Sequence, residues 1–158
     1  MTPAIKLLDR QKIKYNLREY NAGDHQDGYG MAAASALGQD PRQVFKTLLA
    51  VVDGEERKPV VAIVAVSDQL DLKKLAAASG GRKAVMADAA LAERATGYVV
   101  GGISPLGQRR RFRTIIDITA INFATIFISG GKRGLEIELS PTDLQKLINA
   151  DINNIAKN

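Results

Sequence analysis

The chain has no cysteine and a single histidine among its 158 residues. The first absence excludes disulfides, thiolate zinc sites and a cysteine nucleophile, and is compatible with a reducing compartment. The second leaves no Ser-His-Asp triad unless His25 serves it. That residue sits in a polar loop beside Asp24 and Asp27, without a second imidazole or an organised ligand spacing. No metal site is expected. Neither the phosphate loop GxxxxGK[ST] nor the dinucleotide pattern GxGxxG occurs, so the common ATP and NAD readings fail and no cofactor is expected. No apolar run approaches the roughly 20 residues that span a bilayer. With charges early in MTPAIKLLDRQK, the expectation is a soluble, cytoplasmic protein with no membrane association. Repeats, low-complexity tracts and linkers are also missing, and 46% apolar content suits one domain over 1–158.

What is present reads as mixed secondary structure. Ile5, Leu7 and Leu8 mark a short amphipathic helix over 3–12, and residues 14–20 alternate like a strand. After the polar loop 21–30, the Ala-rich run 31–37 ends at Gly38, as a helix does. β-Branched runs at 44–52 and 60–66, joined by DGEERKP, predict a strand pair. Helices are expected over 70–79 and 88–96, and short strands at 98–100, 114–118, 124–128 and 135–139. Ser140, Pro141 and Asp143 then open a last helix. This order is neither a regular βαβ alternation nor all-β. It predicts an α+β domain with a curved, barrel-like mixed β-sheet flanked by helices. The net charge of +5 suits a polyanionic partner, and RRRFR at 109–113 places four arginines in five residues.

Three places break local rules. Lys46 in VFKTLLAVV shares a strand face with Val44, Leu48, Ala50 and Val52, so its ammonium needs an anion or an exit to water. GGISPLG at 101–107 lets a backbone approach a ligand closely, or is a tight turn fixed by Pro105. Ser129 precedes Gly130, Gly131 and Gly134, which suits either an anion-binding nest of N–H groups or a plain glycine hairpin.

Together, VFKTL at 44–48, GYVVGGISPLGQ at 97–108 and SGGKRGLEIEL at 129–139 resemble the YbaK family of aminoacyl-tRNA deacylases, relatives of the editing domain inserted in bacterial prolyl-tRNA synthetases. The resemblance implies a free-standing trans-editing deacylase that removes cysteine from tRNA(Pro), and from tRNA(Cys) as a further substrate. Lys46, Gly101, Gly102 and Ser129 would be the catalytic set. Tyr20, Tyr29, Thr47, Ile103, Ser104, Pro105, Gly130 and Glu136 would bind substrate. Glu136 stands where relatives often carry aspartate, and Tyr29 where phenylalanine is frequent. Arg109, Arg110, Arg111, Arg113, Lys132 and Arg133 would flank the pocket and hold tRNA phosphates. Prolyl-tRNA synthetase would be the partner that passes on the mischarged tRNA.

The family mechanism explains the missing protein nucleophile. The substrate's own thiol attacks its carbonyl carbon and leaves as a cyclic thiolactone, while the protein supplies orientation and oxyanion donors, here the N–H groups of Gly101, Gly102 and Ile103. Two alternatives stay open: water-driven deacylation of Ala-tRNA(Pro), and a non-catalytic module that binds aminoacyl-tRNA ends or nucleotides.

Overall fold

The computed structural model describes residues 1–21 and 29–158. His25, Asp24 and Asp27 therefore lie outside the described residues. Local chemistry sets most element starts. Thr2 caps α1 (Pro3–Arg10) by accepting from the Ile5 N–H, with Pro3 in the first turn where its missing N–H costs nothing. Asp71 caps α3 (Leu72–Ala78), Asp88 caps α4 (Ala89–Thr96) and Ser140 caps α5 (Pro141–Ile148) in the same way. The remaining helix, α2 (Tyr29–Leu37), is rich in alanine and buries Ala33, Ala34 and Leu37.

The strands are β1 (Asn16–Glu19), β2 (Phe45–Val52), β3 (Val60–Ala65), β4 (Ala84–Met86), β5 (Thr114–Asp117), β6 (Ile126–Ser129), β7 (Leu135–Leu139) and β8 (Asp151–Asn153). They form two sheets, β1-β7-β6 and β4-β2-β3-β5-β8. The first is antiparallel throughout. In the second, β2 is antiparallel to β3 and β4, while β5 runs parallel to β3 and to β8. Parallel neighbours need long crossovers, and the segment from α3 through α4 is the one between β3 and β5.

The α+β class with mixed strands is what the structure has. The strands do not close into a barrel: the two sheets meet at one parallel bridge, Val44 to Phe127. Between them lies the main core, where Phe45, Leu49 and Ile63 of the larger sheet meet Ile126, Ile128 and Ile137 of the smaller, with Leu8 and Leu144 from α1 and α5. A second core packs Leu75 and Ala76 of α3 against the outer face of the larger sheet. No described helix is long and apolar enough to cross a membrane.

Two expectations about local structure are corrected. Residues 98–100 are not a strand. Gly97 ends α4 with φ 82°, the Gly102 N–H turns back onto the Val99 carbonyl, and the buried Tyr98 hydroxyl donates to the Leu106 carbonyl at 2.6 Å. Tyr98 is apolar in pattern because it plugs the loop from inside. The strands β4 and β8, three residues each, were not expected at all.

Candidate active site

The site arises where the two sheets part. On one edge of the β2 segment, the Gln43 carbonyl accepts from Phe127 of β6 and the Leu49 carbonyl accepts from Ala87, just past β4, at 3.1 and 3.0 Å. Main-chain groups alternate sides along a strand, so those of Thr47 face the gap left between β6 and β4. A cavity of about 370 Å³ opens there, within the usual range for small-molecule sites. Its walls are largely apolar, from Ala33 of α2, Phe45 and Leu49 of β2, Met86 of β4, and Ala89 and Ala92 of α4. The small residues leave the room. Tyr20, Tyr29, Lys46, Thr47, Gly101, Ile103, Ser129 and Glu136 complete the lining. Lys46, Gly101 and Ser129, far apart in sequence, thus share one cavity.

Glu136 is the acid among those lining residues and Lys46 the base. Alternation in β7 sends Leu135, Ile137 and Leu139 into the core and Glu136 to the other face. Glu136 is 5% exposed, and no hydrogen bond or ion pair holds its carboxyl among the described residues. Its register partner on β1, Arg18, is turned away: its guanidinium lies 5.9 Å from the Phe127 ring and donates to the Leu37 carbonyl. Burial therefore pushes the Glu136 carboxyl up to about 8. Asp117, 1% exposed, makes a useful contrast: it accepts from the Ile155, Ala156 and Thr119 N–H groups and the Thr119 hydroxyl. A satisfied buried carboxylate is structural; an orphaned one facing a cavity is available to a ligand.

Lys46 is half-buried, and its ammonium donates to the Asp68 carbonyl at 2.8 Å. Desolvation lowers its pKa, against a smaller opposing pull from the Asp68 charge. The Thr47 hydroxyl is buried and has no hydrogen-bond partner among the described residues. Ser129 accepts from the Gly131 N–H at 3.2 Å and faces Glu136 across the β6–β7 pair. Burial raises the pKa of Tyr20, with the Glu136 charge adding to it and a Gly134 main-chain bond opposing.

The glycine loop is held from behind. The Val100 N–H donates to Glu93 at 2.8 Å, and its carbonyl accepts from Arg133 at 2.8 and 3.1 Å. Arg133 also stacks on Tyr29, 4.5 Å from the ring centre. Gly101, at φ 90°, would bring an added Cβ to within 2.8 Å of Tyr29 and Arg133. Only glycine suits that conformation and that approach. The N–H groups of Gly101 and Ile103 have no partner among the described residues.

Other expected residues lie elsewhere. The Gly102 N–H is used by the Val99 carbonyl, so it is not a free oxyanion donor, and the glycine is needed because an added Cβ would come within 2.8 Å of the Lys132 main chain. Ser104 is fully buried, its hydroxyl accepting from the Leu106 N–H. Gly130 sits behind Ser129, its N–H on the Leu135 carbonyl and its own carbonyl accepting from Thr2. Pro105 lines a different groove.

The arginine run does not flank the cavity as one patch. Arg109 packs over Gly97 at the end of α4, and Arg113 donates to the Ser79 and Ala78 carbonyls at the end of α3 and pairs with Asp151 at 3.2 Å. Lys132 and Arg133 are the cations beside Gly101 and Gly102. Sequence reasoning missed the alanine wall; the signal was ADAALAERA, a helix start with unusually small side chains.

The chain thus has a cleft between two sheets, with main-chain amides and a buried acid that have no partner among the described residues, and with Lys132 and Arg133 beside its glycine loop. Residues 25–147 match the family described as the aminoacyl-tRNA editing domain, and the chain belongs to that family. It is an aminoacyl-tRNA deacylase.

EbsC of Enterococcus faecalis, which carries the provisional name Cys-tRNA(Pro)/Cys-tRNA(Cys) deacylase, is 38% identical over 149 residues, 94% of this chain and 88% of that protein. The multifunctional Ser/Thr-tRNA deacylase ProXp-y of Escherichia coli K12 is 25% identical over 97% of this chain and 90% of its own. A crystal structure described provisionally as a trans-editing enzyme for prolyl tRNA synthetase superposes with a TM-score of 0.84 at 20% identity. It covers 100% of this chain and 99% of that one, a likeness of fold.

Proposed function

We propose that this deacylase clears cysteine from tRNA(Pro) by letting the substrate thiol cut its own ester. The observation that carries the reading is the state of Glu136. A carboxyl titrating near 8 matches a thiol at about 8.5 but lies far below a serine hydroxyl, so it is a poor base for activating Ser129, its cross-strand neighbour. The cavity's own hydroxyl is thus a weak nucleophile, and a thiol brought by the substrate is a better one.

The step balances as follows. The cysteine sulfur bonds to the carbonyl carbon while the thiol proton passes to the ionised fraction of Glu136, whose pKa lies beside the roughly 8.5 of a free thiol. The ester C–O bond breaks, the terminal ribose oxygen takes that proton, and a thiolactone leaves. The Gly101 and Ile103 N–H groups, without partners among the described residues, would hold the developing oxyanion, and the aliphatic stem of Lys46 with Ser129 would position the ester end. Tyr20 and Tyr29 offer ring faces to the unpaired terminal adenine. Prolyl-tRNA synthetase is the partner that would deliver the tRNA.

A panel of Cys-, Ala-, Ser- and Pro-charged tRNA(Pro) tests the reading. Cysteine should be released at least a hundredfold faster than serine, and Lys46→Ala should lose most of that activity while remaining folded. Equal release of serine and cysteine would refute self-cleavage. That outcome would favour a hydroxyl-directed reading, the one the name of the ProXp-y relative suggests. Preferential release of alanine would favour attack by water.

A further inference from the structure

A second cavity, of about 320 Å³, lies behind the glycine loop. Its walls come from the end of α1 (Leu7, Arg10, Gln11), from the segment between Pro105 and Thr114, and from Leu147 and Ile148 of α5. Three arginines, Arg10, Arg110 and Arg111, line it, and among the described residues no aspartate or glutamate does. Arg110 is fixed in place, 5.4 Å from the Phe112 ring and donating to the Arg57 carbonyl at 2.7 Å. Arg10 and Arg111 are exposed and engage no hydrogen bond, ion pair or ring among the described residues. Gln11 and Gln108 add amide groups to the same wall.

Like charges gathered in one depression without a counter-charge repel one another, and a structural role would have given them partners, as it gave Arg113 Asp151 and the carbonyls of α3. The deficit is one of anions. The groove is also close to the reacting cavity along the chain: Ile103 lines the first and Pro105 the second, at most about 7 Å of extended backbone apart.

We infer that this groove seats phosphates of the tRNA acceptor stem while the terminal residue occupies the first cavity. The inference rests on the chain acting on tRNA and adds the surface, including Arg10, that grips the stem. A duplex carries about one negative charge per 1.7 Å of axis, so several phosphates fall within reach of a single groove. Such contacts carry no base readout. The stem would thus be held by charge and position.

The test is the binding of uncharged tRNA(Pro) across a salt series, with the double variant R10Q/R111Q. Losing two phosphate contacts should weaken binding about thirtyfold near 0.15 M salt and flatten the slope of log K against log salt by about two. R10K/R111K should keep the slope. In deacylation of Cys-tRNA(Pro), KM should rise by a similar factor while kcat holds. Unchanged affinity and slope in R10Q/R111Q would overturn the inference, as would a fall in kcat at constant KM. The binding arm needs no turnover, so it stands or falls separately from the cysteine reading.

Discussion

Replacing Glu136 by glutamine should stabilise the protein, and by an amount that depends on pH in a defined way. The Glu136 carboxyl titrates at about 8 in the folded chain against 4.5 for an ordinary one. Between those values the folded state keeps a proton that the unfolded state has lost, so stability falls as pH rises through the window. Each pH unit costs about 1.36 kcal/mol, which amounts to roughly 3 kcal/mol at pH 7 and levels off above 8. Glutamine has nearly the same shape and no charge to strip of water, so it removes the penalty. Denaturant unfolding of both proteins from pH 4 to 9 measures it, the difference between the two curves cancelling every other titrating group. The two should coincide near pH 4, separate by about 3 kcal/mol at pH 7, and stay apart at pH 9. Parallel curves would mean that the carboxyl is solvated or paired, and the argument from an orphaned acid would fall. The same variant should also lose activity, because it cannot carry the thiol proton.

Thr47→Val removes a buried hydroxyl with no hydrogen-bond partner among the described residues and keeps the side chain's shape. It should raise stability by about 1 kcal/mol and raise KM, read by thermal melting and steady-state deacylation. Arg113→Ala should cost about 1–2 kcal/mol, since the guanidinium holds the last carbonyls of α3 and pairs with Asp151. It should leave the salt dependence of tRNA binding as it was. A flattened slope would return Arg113 to the tRNA surface.

How far the sequence could be read differs from element to element, for physical reasons. Ser140 and Pro141 announced α5 because a capping hydroxyl and a first-turn proline act within a single turn. The β2–β3 hairpin was visible because both strands are buried along most of their length, leaving β-branched runs. β4 and β8 were invisible: three residues carry no periodicity, and their pairing with β2 and β5 is decided by distant partners. The sharing of one cavity by Lys46, Gly101 and Ser129 was legible through the family resemblance alone, since nothing local links them. RRRFR reads as one patch, yet the irregular backbone there gives its arginines different neighbours: Arg109 and Arg113 reach helix ends, while Arg110 and Arg111 line the groove beside α1. Glu136 could be named from its motif, yet its isolation depends on where Arg18 turns, which no spacing reveals.

The single bridge at Val44 and Phe127 leaves the edge of β2 uncovered where the substrate end would lie. Amides on that edge and in the glycine loop belong to the polypeptide itself, so among point substitutions only proline deletes one. The walls are different: Met86, Ala89 and Ala92 can be enlarged or trimmed one at a time. Selection can thus retune which amino acid fits by swapping panels in a fixed frame, without rebuilding the chemistry that the frame performs.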